Sequence, residues 1–199
     1  MYPLFETIRI GNGKLLAPEW HEERMKNARK ECWNISEPLF LQDLVDVPEQ
    51  FRTGTIRCKL LYGQDPGPVS FSLYHKRQIQ KLKLIENNVI DYRLKYTDRS
   101  IFDQLLACRG DCDEIIIVKN GMITDTSISN LIFFDGEQWV TPRFPLLNGI
   151  CRQRLLAEGR IKEADIGIND LEKYAGLKLI NAMRDPDGDE IISMNRIVY

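Results

Sequence analysis

Lys95 is the strongest candidate nucleophile in this sequence. It lies in the stretch 89–99, where apolar and polar residues alternate, and this alternation predicts a β-strand. Thr97 or Asp98 then offers an N-cap for a predicted helix over residues 100–106. A lysine that is partly desolvated beside the positive end of a helix is expected to lose its proton more easily, and a neutral amine can form a Schiff base. The pattern is also typical of a solvated strand lysine, because most lysines are exposed.

Three further features could supply a carboxylate or bind an anion. Asp125 lies in a run of small polar residues over 124–130, which is also typical of a simple turn between strands. Residues 149–152 open a predicted helix, whose unpaired first amides and dipole favour a phosphate group, although every helix has such an end. Arg24 follows His21 by one turn on another predicted helix, where an exposed charged face is the alternative. Together with Lys95, these are the parts that a pyridoxal phosphate site requires.

The sequence gives little support to other catalytic, nucleotide-binding or metal sites. Neither His21 nor His75 belongs to a recognisable Ser-His-Asp or Cys-His arrangement, and no phosphate-binding glycine loop of the Walker or dinucleotide type is present. The 5 cysteines are scattered, and the close pair Cys108 and Cys112 has no histidine beside it, so we expect no metal site. Reduced thiols in a cytoplasmic protein are the simpler interpretation.

The composition indicates an ordinary globular chain. With 199 residues, 43% of them hydrophobic, the chain can bury a sizeable core. The net charge is −2 with both signs interspersed, so no basic stripe predicts a nucleic-acid partner. No apolar run approaches the length of a membrane span, and the first residues lack the pattern of a signal peptide. We therefore expect no membrane partner and a cytoplasmic location.

Hydrophobic periodicity and turn residues predict an α+β fold that is rich in hairpins. In the first half, the predicted elements are a hairpin over 5–10 and 14–16, helices over 18–33 and 36–51, and strands over 55–62 and 69–74. In the second half, they are hairpins over 114–124 and 130–141, helices over 149–157 and near 169–170, a strand over 176–181 and a last strand within 190–199. We divide the chain into a small α+β domain (1–86), an interdomain linker with the lysine strand (87–95) and a larger domain (96–199).

The order of the motifs resembles the class IV aminotransferases. This pyridoxal-phosphate family includes branched-chain and D-amino-acid aminotransferases and 4-amino-4-deoxychorismate lyase. The matching segments span nearly the whole chain in the family's order: 5–9 (FETIR), 21–24 (HEER), 94–99 (LKYTDR), 113–116 (DEII), 120–121 (NG), 124–130 (TDTSISN), 139–142 (WVTP), 145–149 (PLLNG) and 180–182 (INA).

The resemblance implies a fold, a cofactor and an assembly. The fold would be a small N-terminal α+β domain, a short interdomain loop and a larger domain built round a pseudo-barrel. The cofactor would be pyridoxal 5'-phosphate and the substrate a small amine. The chain would form a homodimer, with each active site roofed partly by the small domain of the partner.

The resemblance also implies roles for individual positions. Lys95 matches the lysine that forms the imine and carries protons at the substrate carbon, and Arg24 matches the family's phosphate-binding arginine. Ile150 and Cys151 match positions whose backbone amides hold the phosphate. The positions matched to cofactor-binding residues are Arg24, Lys95, Asp125, Ile150, Cys151, Asn181 and Ala182, of which the last two would form a second phosphate loop.

Two features depart from the family pattern. The family usually has a glutamate where this chain has Asp125, so the carboxylate is one methylene shorter on the side of the pyridine nitrogen. A shift of the loop or a bridging water would preserve its function. The sequence also begins four residues before the FETIR segment and lacks the usual leading segment, which would remove part of the wall on the substrate side.

Three activities follow from the resemblance. The compact chain, with its FETIR and LKYTDR segments, most resembles the lyase branch of the family, whose reaction yields 4-aminobenzoate and pyruvate within folate biosynthesis. The alternatives are a transaminase for branched-chain or D-amino acids and a non-catalytic homologue that binds pyridoxal phosphate. Arg57, Lys59 and Arg184 are candidate partners for a substrate carboxylate, and structural salt bridges are equally compatible with each of them.

Overall fold

A computed structural model describes residues 2–188 and 190–199. The chain forms two compact units, Met1–Lys76 with Leu94–Asp98, and Arg77–Arg93 with Arg99–Tyr199. The first boundary lies ten residues before the predicted one at 86. Residues 82–86 belong to the second unit because they pair as a parallel strand with residues 114–118.

The first unit is built on one antiparallel sheet with the strand order β2-β1-β3-β4. Its elements are β1 (Leu4–Gly11), β2 (Lys14–Leu15), α1 (Pro18–Trp33), α2 (Leu41–Leu44), β3 (Thr55–Tyr62) and β4 (Pro66–Leu73). Because side chains alternate across a strand, Leu4, Ile8 and Ile10 of β1 point to one side, where they pack with Met25 and Ala28 of α1. The predicted first hairpin, the helix from Pro18 and the strand over 55–62 are confirmed.

Two predictions in the first half of the chain are wrong. Residues 36–51 do not form a long helix, and only α2 and a 3-10 turn over Glu49–Phe51 are helical. Pro38 and Pro48 account for this, since the residue before a proline is driven out of the helical region. Residues 89–97 do not form a strand either, although Tyr96 makes an isolated antiparallel bridge with Leu4.

The alternation over 89–97 has another cause. Ile90 and Tyr92 are buried in the second unit, whereas Leu94 and Tyr96 pack against the core of the first. The apolar side chains therefore anchor the chain in two different units, and no continuous ladder is needed.

The second unit contains two four-stranded sheets, with the orders β10-β9-β8-β11 and β12-β5-β6-β7. Its elements are β5 (Leu82–Glu86), α3 (Ser100–Ala107), β6 (Glu114–Lys119), β7 (Met122–Ile123), β8 (Asn130–Phe134), β9 (Trp139–Pro142), α4 (Ile150–Ala157), β10 (Lys162–Ala164), β11 (Gly176–Ile180) and β12 (Ile197–Val198). Side chains of both sheets share one core, which includes Leu82, Ile116, Leu131 and Leu177. The predicted α+β fold class is confirmed.

Local turn chemistry accounts for the predicted hairpin between β6 and β7. Asn120 and Gly121 both have positive φ, at 52° and 75°, as a two-residue turn of the I′ type requires. The helical turn near 169–170 is a 3-10 helix over Ile168–Lys173. The tail pairs through β12 and through an antiparallel bridge between Ile192 and Leu177. Within residues 2–188 and 190–199, no helix has the length and apolar character to cross a membrane.

Candidate active site

Glu6, His21 and Arg24 form a charged cluster inside the first unit. Glu6 is on the inward side of β1 and is fully buried, and His21 is 1% exposed. Arg24 donates from Nε to Glu6 Oε1 at 2.8 Å and from Nη2 to Glu6 Oε2. His21 Nδ1 lies 2.7 Å from Glu6 Oε2. This fork is the geometry in which an arginine is held most firmly by a carboxylate.

The electrostatics of this cluster keep Glu6 ionised. Burial works to raise the pKa of Glu6, but the charge of Arg24 and the hydrogen bond from His21 outweigh it and lower the pKa from 4.5 to about 2. Burial also lowers the pKa of His21 below its ordinary 6.5, against the effect of Glu6. At neutral pH a neutral His21 therefore donates from Nδ1 to an ionised Glu6.

Lys95 lies in the same unit as Arg24 and close to this cluster, since its charge contributes to the lowered pKa of His21. Its backbone carbonyl accepts a hydrogen bond from the Phe5 amide at 3.0 Å, which fixes the chain beside β1. Its ammonium nitrogen lies 4.6 Å from the centroid of the Phe5 ring, and that of Lys59 lies 4.9 Å from the same centroid. Lys95 is half-buried against an aromatic side chain, as an imine-forming lysine would be.

Asp125 is the centre of the second group of predicted residues, which lies within the second unit. Its side chain is 5% exposed. Asn130 Nδ2 donates to Asp125 Oδ1 at 2.8 Å, and the Leu147 amide donates to Oδ2 at 2.9 Å. Burial raises the pKa of Asp125 from 3.8 to about 7, although these two hydrogen bonds work in the opposite direction. A cation or an acidic N–H placed against this carboxylate would be strongly favoured.

Asn130 connects Asp125 to the predicted phosphate-binding end of α4. Besides Asp125, Asn130 Nδ2 contacts the Leu147 carbonyl at 2.8 Å. Gly149 precedes α4, and a Cβ added there would lie 2.1 Å from Asn130 Oδ1. Gly149 supplies no side chain to cap α4, so the first amides of the helix, including those of Ile150 and Cys151, have no side-chain cap at that position.

Asn181 connects the same loop to the predicted second phosphate-binding turn. Its Nδ2 donates to Ser129 Oγ at 2.9 Å and to the Ile128 carbonyl at 3.1 Å. Its Oδ1 accepts from the Met183 amide at 2.8 Å, which leaves Ala182 within a tight turn. Cys151 Sγ contacts the Arg184 carbonyl at 3.7 Å on the far side of that turn. The structure thus brings together Asp125, the start of α4 and the turn at Asn181.

Three residues of the site, Glu6, Asn130 and Arg99, had no predicted role. Glu6 had a signal, because an acid stood at an inward position of an alternating strand. Asn130 and Arg99 lay inside matched segments without a role. Arg99 Nη2 donates to the Ser127 carbonyl at 2.7 Å, and its guanidinium lies 4.5 Å from the centroid of the Phe102 ring, so it fastens the Asp125 loop to α3.

The three candidate partners of a substrate carboxylate differ in their exposure. Arg184 is buried and donates to the Arg77 carbonyl, which favours the structural alternative. Arg57 and Lys59 are exposed side chains of β3.

The residues of the second unit fit the cofactor that the resemblance implies. Asp125 offers a buried acceptor, because Oδ1 accepts from Asn130, Oδ2 accepts from the Leu147 amide, and a carboxylate oxygen can accept two hydrogen bonds. Ser127 Oγ is buried and has no hydrogen-bond partner among the described residues. The start of α4 supplies backbone N–H groups for an anion. An acidic ring nitrogen and a phosphate are the groups that this donor and acceptor set suits.

Comparison with known proteins identifies the class of this fold and site. The sequence profile described as "Amino-transferase class IV" matches residues 3–185. The chain therefore belongs to the class IV aminotransferase family, whose members are pyridoxal-phosphate-dependent aminotransferases and lyases. The predicted resemblance is confirmed.

Two relatives are similar to this chain over almost their whole length, and a third shares the fold. An uncharacterised protein of Haemophilus influenzae is 40% identical over 185 residues, which cover 92% of this chain and 98% of that protein. A crystal structure from Haemophilus somnus, provisionally named a 4-amino-4-deoxychorismate lyase, is 34% identical with a TM-score of 0.85, and the match covers 92% of this chain and 97% of that one. A hypothetical aminotransferase of Mycobacterium tuberculosis in its PLP-bound form shares the fold, with 17% identity, a TM-score of 0.74 and coverage of 91% and 78%.

Proposed function

We propose that this chain is a pyridoxal-phosphate-dependent lyase that converts 4-amino-4-deoxychorismate into 4-aminobenzoate and pyruvate. The observation that carries the proposal is the buried Asp125 carboxylate, which accepts hydrogen bonds from Asn130 and from the Leu147 amide in the loop before α4. The similarity to the Haemophilus somnus protein supports the choice of the lyase reaction.

Each residue has a role in this proposal. Pyridoxal phosphate, when bound, withdraws electrons from the carbon that carries the substrate amine. Asp125 would accept a hydrogen bond from the ring nitrogen and remain ionised there. Arg24, held in place by Glu6, and the amides of Ile150 and Cys151 would bind the phosphate. Asn181 and Ala182 would complete the phosphate site.

Lys95 would remove the proton from the ring carbon that carries the amine. The bond between the neighbouring ring carbon and the oxygen of the enolpyruvyl group then breaks, a double bond forms between the two ring carbons, and the ring becomes aromatic. The enolpyruvate takes up a proton at its methylene carbon and becomes pyruvate. Atoms and electrons balance without a co-reactant, so the reaction consumes only the substrate.

A product assay tests the proposal. Purified protein with pyridoxal phosphate is mixed with 4-amino-4-deoxychorismate, and 4-aminobenzoate and pyruvate are measured separately. We expect both products in equal amounts without any added keto acid, and no turnover by Lys95→Ala. Formation of neither product by the cofactor-loaded protein would contradict the lyase assignment.

The alternatives give different results in the same assay. A transaminase would move the amino group of a branched-chain or D-amino acid to a keto acid and leave aminodeoxychorismate intact. A non-catalytic homologue would bind pyridoxal phosphate and turn over neither substrate. Sedimentation of the loaded protein tests the homodimer that we also expect from the resemblance.

A further inference from the structure

The outward face of the sheet in the first unit carries a row of cations. Glu6 and its apolar neighbours on β1 point inward, so Thr7 and Arg9 point outward. In the antiparallel register, Arg9 pairs with Arg57 and Thr7 pairs with Lys59. Directly paired residues lie about 5 Å apart at their Cβ atoms, so Arg9, Arg57 and Lys59 are neighbours on one surface.

This basic face has no acidic counterpart at its register positions. On β4, Ser72 pairs with Arg57 and Ser70 pairs with Lys59. Arg57 Nε donates to Ser72 Oγ at 3.2 Å, and Arg57 and Lys59 are exposed. Arg9 Nε is buried without a hydrogen-bond partner in the part of the chain that the structure describes. An unpartnered buried guanidinium nitrogen beside two exposed cations is suited to an anion.

Phe5 places this face next to the candidate reactive lysine. The ammonium nitrogens of Lys59 and Lys95 lie 4.9 Å and 4.6 Å from the centroid of the same Phe5 ring. A substrate that is processed at Lys95 would therefore lie close to Lys59 as well. Phe5 itself is 8% exposed, so a substrate would meet the charged groups beside the ring rather than the ring face.

We propose that Arg9, Arg57 and Lys59 form a carboxylate-binding subsite that selects a cyclic amine with two carboxylates. This inference rests on the proposed function, because it takes Lys95 as the residue that removes the proton beside the substrate amine. A substrate with one carboxylate and a small side chain would leave these cations without a partner. The subsite thus distinguishes a dianionic ring such as aminodeoxychorismate from simple amino acids.

A binding measurement tests the subsite apart from the reaction. Chorismate carries the same ring and both carboxylates but has a hydroxyl group in place of the amine, so it cannot react at Lys95. We expect titration calorimetry of the cofactor-loaded protein to show chorismate binding that weakens as salt is added. Loss of one charged hydrogen bond in Lys59→Met or Arg57→Met should weaken it by about 10- to 100-fold.

Two matched variants separate the subsite from general effects of charge. Lys30→Met removes an exposed lysine from the last turn of α1 in the same unit and should leave chorismate affinity unchanged. Lys59→Arg keeps the charge and should retain most of the affinity. Wild-type affinity in Lys59→Met, or an equal loss in Lys30→Met, would overturn the proposal.

Kinetics with aminodeoxychorismate separate failure of the subsite from failure of the proposed function. We expect Lys59→Met to raise KM about 10- to 100-fold and to change kcat by less than about threefold, because it removes binding rather than chemistry. Its reducible adduct at Lys95 should match that of the wild type. A normal KM in Lys59→Met with an intact wild-type reaction would refute the subsite alone, whereas a wild type without the Lys95 adduct would refute the proposed function.

Discussion

Asn130 donates a hydrogen bond to Asp125 at 2.8 Å, and its side-chain oxygen occupies the space that a Cβ at Gly149 would need. The side-chain amide of Asn130 therefore positions both the Asp125 carboxylate and the start of α4. Because Gly149 has an ordinary negative φ, close approach rather than backbone conformation requires glycine there.

Gly149→Ala should destabilise the protein by about 2 kcal/mol or more, because the new methyl group must displace Asn130 from its buried partners. Urea unfolding measures the loss. Gly188→Ala is the matched control, since a Cβ there meets nothing within 4 Å.

The double variant Asn130→Ala with Gly149→Ala tests whether displacement of Asn130 causes the loss of stability in Gly149→Ala. The two changes share one contact, so their combined cost should be smaller than the sum of the single costs. Strict additivity would mean that Asn130 is not what excludes a side chain at position 149.

Asp125 should make the cofactor-free protein less stable as pH rises. Its folded-state pKa of about 7 lies above the ordinary 3.8, so the folded state binds the proton more tightly than the unfolded state. The stabilisation that this bound proton gives the folded state is fully present below pH 3.8 and is lost as pH rises through about 7. The loss should be on the order of 4 kcal/mol, measured as the free energy of unfolding against pH.

Asp125→Asn should remove this pH dependence, because the amide cannot ionise. The difference between the variant and the wild type should shrink when pyridoxal phosphate is present, since a ring N–H would stabilise the ionised Asp125. Identical pH profiles of the two cofactor-free proteins would show that Asp125 is not a buried acid with a raised pKa.

Arg24→Met should cost about 3 kcal/mol of stability, because it removes the cation that pairs with the buried Glu6 carboxylate and leaves the hydrogen bond with His21. Changing Glu6 to Met in the same protein should recover part of that loss. Arg154→Met is a suitable control, since the pair with Asp185 is 29% and 36% exposed and its loss should cost less than about 1 kcal/mol.

The effect of acid offers a second check on this cluster. Glu6 has a folded-state pKa of about 2 against an ordinary 4.5, so its stabilising contribution is present above pH 4.5 and is lost as pH falls toward 2. Wild-type protein should lose stability across that window, and Glu6→Gln should lose less. A Glu6→Gln variant with the same acid sensitivity as the wild type would contradict the assignment.

Features with local causes could be predicted from the sequence. The turn at Asn120 and Gly121 and the helix from Pro18 depend on nearby residues, and both were predicted within a residue or two. By contrast, β5 and β10 were missed. Each pairs in parallel with a strand distant in sequence, β6 and β9 respectively, so short-range patterns carry little signal for them.

The candidate site shows the same division. Lys95, Arg24 and Asp125 stand in segments that resemble the family, and their side-chain types indicate their chemistry. The tertiary contacts of Glu6 with Arg24, of Asn130 with Gly149 and of Arg99 with Ser127 have no sequence pattern of their own. These contacts form because the fold buries the side chains together, and which side chains are buried together depends on the whole fold.

The central claim is that Lys95 holds the cofactor covalently. The most direct measurement is borohydride reduction of the purified protein with pyridoxal phosphate, followed by peptide mapping, with the absorbance spectrum recorded before reduction. We predict one stable adduct on the peptide that contains Lys95, and none in Lys95→Ala. An adduct spread over surface lysines, or an unchanged adduct in Lys95→Ala, would contradict the account.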